Sequence, residues 1–237
     1  MKTMLALGLA LLVAGCTGHQ AGRNEPALRE VFKGVRVDPA RGLIEIDGRV
    51  ATDVHDQDTP DVYLEVIVCT RDTREHESLV VIDAAAAQVH AALLLIGLEP
   101  GHPGGWKDEG GRLVPIKPQG DPVRVTLAYT LDGKACESPC EAWITVGPGR
   151  QDPGPLEFVF AGSGFRVYDG VERYLADLEG TVVGLTTFGT ELIAPTSMHH
   201  PDSRVETPTL MARSDVIPAF GEPVTVRIHA IRDKSAP

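Results

Sequence analysis

The strongest constraint on this chain is the spacing of its apolar side chains. Ten segments carry β-branched and other apolar residues in alternation or short runs, bounded by Gly, Pro or Asp. They are Val31 to Val37, Leu43 to Val50, Val62 to Thr70, Glu77 to Ile82, Pro122 to Thr130, Glu141 to Val146, Leu156 to Ala161, Glu172 to Leu178, Thr181 to Leu185 and Pro223 to Ile231. A period of two is that of a strand with one buried face. With 25 Gly and 18 Pro, turn formers make up about 18% of the chain against a typical ~12%, so many turns must join short strands. Asp38-Pro39-Ala40-Arg41-Gly42 suits a hairpin turn between the first two.

One segment breaks this pattern. Asp83 is placed to cap a helix, Ala84 to Ile96 are mostly good helix formers, Gly97 stands where a left-handed C-terminal cap is wanted, and Pro100 follows. Val89, Leu93 and Ile96, with Ala92 beside them, form a stripe that would lie on a sheet. The expectation is therefore a β-rich α+β fold of mostly antiparallel strands with one well-defined helix (about 84–96) packed on the sheet. It fills one globular domain over residues 28–231, followed by a tail at 232–237. A hydrophobic content of 43% excludes a disordered chain. A net charge of −11, a pI near 5.1 and the lack of a Lys/Arg cluster argue against nucleic acid as a partner.

The N-terminus carries a different signal. Lys2 supplies a minimal positive region, Met4 to Val13 is apolar, and Val13-Ala14-Gly15 places small residues before Cys16. This reads as a secretory signal peptide over residues 1–15, and its end resembles the lipobox of bacterial lipoproteins, in which cleavage precedes the cysteine and its thiol carries lipid. Cys16 is the expected lipidation site and residues 16–27 the tether. The apolar run is short of the ~20 residues of a permanent span. Ala84 to Leu98 is interrupted by Gln88 and His90, so no second span is expected. The implied location is the cell envelope, on the periplasmic or outer face of a membrane, through acyl chains.

Three cysteines remain. Cys136 and Cys140 are close enough to close a small loop in an oxidising compartment and form a disulfide candidate. Cys69 lies in an apolar run and reads as a buried small hydrophobe. If Arg71 to Arg74 turn the chain as a hairpin, Cys69 faces His76, and His90 on the following helix can approach them. Cys69, His76, Glu77, Ser78 and His90 are thus the candidate functional cluster. Cys69, His76 and His90 would suit zinc or another soft metal, a thiolate beside imidazole would suit a nucleophile, and a purely structural arrangement accounts for the same residues. Convergence in an open pocket favours chemistry; a dry Cys69 and a solvent-facing His76 favour structure.

Other patterns fail a motif test. Ser163 in Ala161-Gly162-Ser163-Gly164-Phe165 lacks the glycine spacing of a nucleophile elbow. Asp53, His55, Asp56, Asp58 and Asp61 lack the Gly and distal Glu of a calcium loop.

Taken as a set, Val68-Cys69, Glu75-His76-Glu77-Ser78-Leu79 and Val89-His90-Ala91-Ala92-Leu93-Leu94-Leu95-Ile96-Gly97-Leu98-Glu99-Pro100-Gly101 resemble the YdjY-domain family of bacterial exported proteins and lipoproteins. Phe158-Val159-Phe160-Ala161-Gly162-Ser163, Tyr174-Leu175-Ala176-Asp177, Glu179-Gly180, Ile217-Pro218 and Pro223-Val224-Thr225-Val226 extend the likeness over about residues 28–231. The resemblance implies export or a lipid anchor and carries no catalytic role. Cys136 and Cys140 depart from its pattern. The iron–sulfur sense of the label ferredoxin-like, sometimes attached to the family, would need four thiolates.

The function expected is a membrane-tethered, non-enzymatic binding or interaction module with an envelope protein or other ligand as partner and no cofactor. The first alternative is metal or redox handling through Cys69, His76 and His90. The second is hydrolysis, with Ser78 or Ser163 as nucleophile and His76 or His90 as base.

Overall fold

The computed structural model describes residues 28–232 apart from 57, 59 and 60. Cys16, the signal segment and the tether lie outside the described residues. In chain order the strands are β1 (Arg29–Phe32), β2 (Val35–Asp38), β3 (Leu43–Val50), β4 (Val66–Thr70), β5 (Ser78–Ile82), β6 (Pro100–His102), β7 (Gly105–Asp108), β8 (Leu113–Ile116), β9 (Gln119–Gly120), β10 (Pro122–Leu131), β11 (Lys134–Pro139), β12 (Ile144–Val146), β13 (Phe158–Phe160), β14 (Phe165–Tyr168), β15 (Val171–Tyr174), β16 (Thr181–Gly184), β17 (Ile193–Pro195), β18 (Leu210–Ala212) and β19 (Pro223–Ala230). Helix α1 (Ala86–Leu95) follows β5 and α2 (Leu175–Glu179) follows β15.

Eight strands close into a barrel in the order β3-β19-β10-β13-β17-β16-β4-β5, with β5 pairing back to β3. All neighbours are antiparallel except β16 with β17 and β4 with β5. Strands β1 and β2 extend one side from β3, and β11 pairs with β10. Closure removes the free edges a sheet of this size would expose.

The alternation of the sequence sets what faces each way. Cross-strand partners share a face, so Val37, Ile44, Ile228 and Val125 form one buried row and Val35, Ile46, Val226 and Leu127 the next. The residues between them point outward and build a charged row, in which Arg36 and Arg227 both reach Glu45 (3.4 and 2.8 Å) and Arg227 also pairs with Glu137.

Several sequence expectations change at their ends. Val31 to Val37 is two strands, because Lys33 and Gly34 turn the chain with Gly34 at φ +72 and β1 folds back on β2. Glu172 to Leu178 is strand only to Tyr174 and then helix α2, which Gly180 ends at φ +74. Glu141 to Val146 starts as a 3-10 turn, Cys140–Trp143, before β12. The glycine-rich stretch 101–105 supplies parts of β6 and β7.

Helix α1 lies where the sequence puts it, burying Ala86, Val89, Ala92 and Leu93. Gly97 (φ +84) closes it in a Schellman arrangement, with Gly97 N–H donating to Leu94 O (2.9 Å) and Leu98 N–H to Leu93 O (3.2 Å). Its start differs. Ala85 is extended, so the helix begins past Asp83, whose carboxylate pairs with Arg71 instead. The anion at the helix start comes from α2, where Asp177 Oδ1 accepts the Ala87 amide at 2.9 Å. Asp177→Ala is expected to cost about 1 kcal/mol in urea unfolding, the worth of a capping side chain. An unchanged midpoint would show the cap to be idle. Among the described residues no helix is long and apolar enough to cross a membrane.

Candidate functional site

The expected hairpin between Cys69 and His76 is not formed. Strands β4 and β5 are neighbours but run parallel, with Val66 opposite Ser78 and Cys69 opposite Val81. Residues 71–77 carry the chain back to the start of β4, a far shorter return than the dozen or so residues of an ordinary parallel connection. Local hydrogen bonds hold this tight path. Glu75 accepts the amides of Asp72 and Thr73, Thr73 Oγ1 donates to Thr70 O (2.6 Å), and Ser78 Oγ donates to Arg74 O (2.6 Å).

The crossover separates the residues that a hairpin would have joined. Cys69 is fully buried, and burial pushes its thiol above the ordinary range, away from the thiolate that attacks or ligates. His76 stands in solvent with 79% of its side chain exposed. Ser78 is buried and its hydroxyl is committed to Arg74 O. His90 is tied elsewhere. Tyr174 Oη donates to Gly162 O (2.9 Å), so the 2.8 Å bond between His90 Nδ1 and Tyr174 Oη has the ring as donor. The ring also meets Phe160 edge-on at 5.0 Å, and burial lowers its pKa. His90 is thus a neutral strut joining α1 to the 162–174 segment. Among the described residues no three His, Cys, Asp or Glu side chains are grouped to hold a metal ion. Ser163 Oγ likewise donates to a carbonyl, that of Thr190 (2.7 Å).

Cys136 and Cys140 are free thiols here. Cys136 sits on β11 opposite Tyr129, whereas Pro139 leads into the 3-10 turn that buries Cys140 beside the core residue Trp143. The Cys140 thiol is raised well above the ordinary range by burial and by Glu141. In the acidic loop Asp53 accepts the His55 amide (3.2 Å), and His55 Nε2 donates outside it to Ile217 O (3.1 Å).

Glu77, with His76 Nε2 3.6 Å from its carboxylate, joins a charged assembly. Arg74 donates to Glu77 (2.8 Å) and Glu179 (3.4 Å), lies 3.8 Å from Glu65, and stacks on Phe188 at 4.1 Å from the ring centre. Burial, reinforced by the neighbouring Glu77 carboxylate, raises Glu65 to about 7. On its other side Glu65 lines a crevice with Thr186, His199, His200 and Glu206. Glu206 accepts from His199 Nδ1 (2.7 Å) and from the His200 amide (2.7 Å), and Trp106 packs on the His200 ring at 4.9 Å. Behind this wall Glu191 is fully buried, one carboxylate oxygen accepting the Phe188 and Gly189 amides and the other unpartnered.

The family model of the YdjY domain matches residues 35–229, which is the whole barrel with its insertions. The chain belongs to the YdjY-domain family. No curated protein and no solved structure matches it.

In this YdjY domain the Glu65 crevice is the place where titratable groups converge. Burial lifts the Glu65 carboxyl toward neutrality, and Glu206 fixes the His199 ring. The room between them is about 20 Å³, enough for about one water. Sequence reasoning missed this site. Glu65 was visible only as one charge inside the apolar run Val62 to Thr70, and His199-His200 as a pair in a polar loop. The YdjY domain joins them by tying Leu185 and Thr186 amides to Glu65 O (both 2.9 Å) and the Thr187 amide to His199 O (2.9 Å).

Proposed function

We propose that this YdjY-domain protein is an exported lipoprotein, held at a membrane of the cell envelope by acyl chains on Cys16, whose barrel acts as a non-enzymatic interaction module. The observation that supports a binding role is the β14–β15 hairpin. It pairs only within itself and leaves Phe165 66% and Val167 63% exposed. Apolar side chains displayed this way on a soluble body are characteristic of contact surfaces. The Glu65 crevice, by contrast, has room for a water rather than for a substrate.

Cell fractionation of a Cys16→Ser variant tests the anchor. The protein is expected to lose its acylated form, read from the mass of the N-terminal peptide, and its resistance to salt extraction from membranes. Retention of a lipid-modified N-terminus by the variant would overturn the assignment.

A further inference from the structure

The exposed apolar side chains are not confined to the hairpin. Helix α1, Ala-Ala-Gln-Val-His-Ala-Ala-Leu-Leu-Leu, is apolar nearly all round, a pattern expected of a helix covered on every side. Yet Leu94 and Leu95 on its outer face are 47% and 48% exposed. Helix α2 touches both α1 and β15, and its Leu178 is exposed too. The outer surfaces of α1, α2 and the hairpin therefore adjoin, and nothing within the described residues covers them.

The hairpin also carries a charge arrangement with a cost. Arg166 and Arg173 are direct cross-strand partners, an unfavourable placement for like charges. Arg166 meets only the Tyr168 hydroxyl (3.3 Å), and among the described residues neither guanidinium has a carboxylate partner. In a chain of net charge −11 such a pair invites an external anion, and guanidinium planes suit phosphate. Tyr168 and Val171 flank the hairpin tip, so aromatic, aliphatic and arginine side chains stand together as they do at a membrane–water boundary. Asp169 and Glu172 balance the arginines, which leaves apolar burial as the main attraction.

The tether decides between possible occupants. The described chain starts at 28 and enters β1 beside β2, the strand on which α1 packs. Cys16 and Leu28 are separated by a segment that spans at most about 40 Å, so lipid on Cys16 holds the α1 side of the barrel near the bilayer at high effective concentration.

We propose that α1, α2 and the β14–β15 hairpin dock on the phospholipid bilayer, the hairpin entering edge-on so that Arg166 and Arg173 on one of its faces meet headgroup phosphates while Phe165 and Val167 on its other face, with Leu94 and Leu95 of α1, lie in the interfacial layer. This rests on the lipid-anchor reading above, and the test separates the two. The acylated protein is reconstituted into vesicles of phosphatidylethanolamine and phosphatidylglycerol, and flotation reads the anchor. A Tyr168→Trp variant reads the face through quenching by brominated acyl chains. The added tryptophan is expected to lose about half of its emission, while the parent, with Trp143 buried and Trp106 partly covered, changes little. Phe165→Glu with Val167→Glu, at two exposed positions, should abolish this quenching without releasing the protein from the vesicles, and Arg166→Gln with Arg173→Gln should weaken it.

Flotation without added quenching would overturn the docked face while sparing the anchor. Failure to float would remove both. Loss of quenching on addition of inorganic phosphate at millimolar concentration, or shielding that grows with protein density on the vesicle, would also overturn the proposal, the first assigning the arginines to a soluble anion and the second assigning the face to another copy of the chain.

Discussion

Gly120→Ala is expected to cost about 4 kcal/mol or more, enough to leave little folded protein. Gly120 has φ +144, a region that side chains oppose, and a Cβ there would lie 2.0 Å from Phe160 O and 2.6 Å from Phe160 C. Both obstacles are backbone, so no rotamer change relieves the clash. Strand β9 crosses the end of β13 at this point, and the Phe160 amide donates to Asp121 O at 2.8 Å. Relief would require pulling the β6–β9 ribbon away from a barrel strand that carries Phe160, a fully buried side chain. Gly105→Ala is the control. A Cβ at Gly105 meets nothing within 4 Å, and its change is expected to stay within about 0.5 kcal/mol or to stabilise slightly. Unfolding free energies from urea titration that agree within about 1 kcal/mol for the two variants would refute the close approach.

Stability is expected to fall as pH rises through neutrality, and Glu65→Gln should remove most of that fall. Burial and the facing Glu77 lift Glu65 from its ordinary 4.5 to about 7, with Arg74 opposing them. The folded state therefore holds a proton that the unfolded chain has already released. This contribution is fully present below pH 4.5 and is lost as pH rises through about 7, amounting to at most about 3 kcal/mol. Burial raises Glu191 as well, which acts in the same direction. Glu75, Asp83 and Glu137 are held below their ordinary values, so their stabilisation is lost on acidification, below this window. Burial lowers His90 and His229, which therefore add stability as pH rises through about 6.5 and oppose Glu65 equally in parent and variant. Gln keeps the shape and hydrogen-bonding capacity of the protonated carboxyl without its titration. Urea unfolding at pH 5.5 and 8 should show the parent losing about 2 kcal/mol more, or gaining about 2 kcal/mol less, than Glu65→Gln over the same interval. Equal pH dependence in both proteins would show that Glu65 is already ionised at neutrality.

The separation between what was legible and what was not runs along sequence distance. Strand β3 has the limits its alternation predicts, β10 and β19 differ from theirs by one residue, and Gly97 ends α1 as its chemistry demands. Each of these rests on neighbours a few residues away. Turn chemistry at Arg71 to Arg74 reports that the chain bends there. It does not report on which side of β4 the next strand is laid, and the parallel placement of β5 is what disperses Cys69, His76 and His90. Asp83 illustrates the same limit, since its local promise as a cap yields to Arg71, and Asp177 takes the role from 90 residues along the chain, on the adjoining α2. The family itself was legible, because blocks such as Glu75-His76-Glu77-Ser78-Leu79 and Phe158-Val159-Phe160-Ala161-Gly162-Ser163 lie within the matched span.

By itself the sequence determined a β-rich fold, the helix and its cap, and membership of the YdjY-domain family, since period, cap chemistry and motif blocks are local properties of the chain. Only the tertiary structure decided that eight strands close into a barrel, that Arg74 gathers Glu65, Glu77 and Glu179, that His199 and Glu65 border one crevice, and that Leu94, Leu95, Phe165 and Val167 stay exposed. Closure and burial depend on contacts between segments far apart in the chain. Burial in turn sets the protonation of Glu65, Cys69 and His90, and no local pattern of residues encodes it.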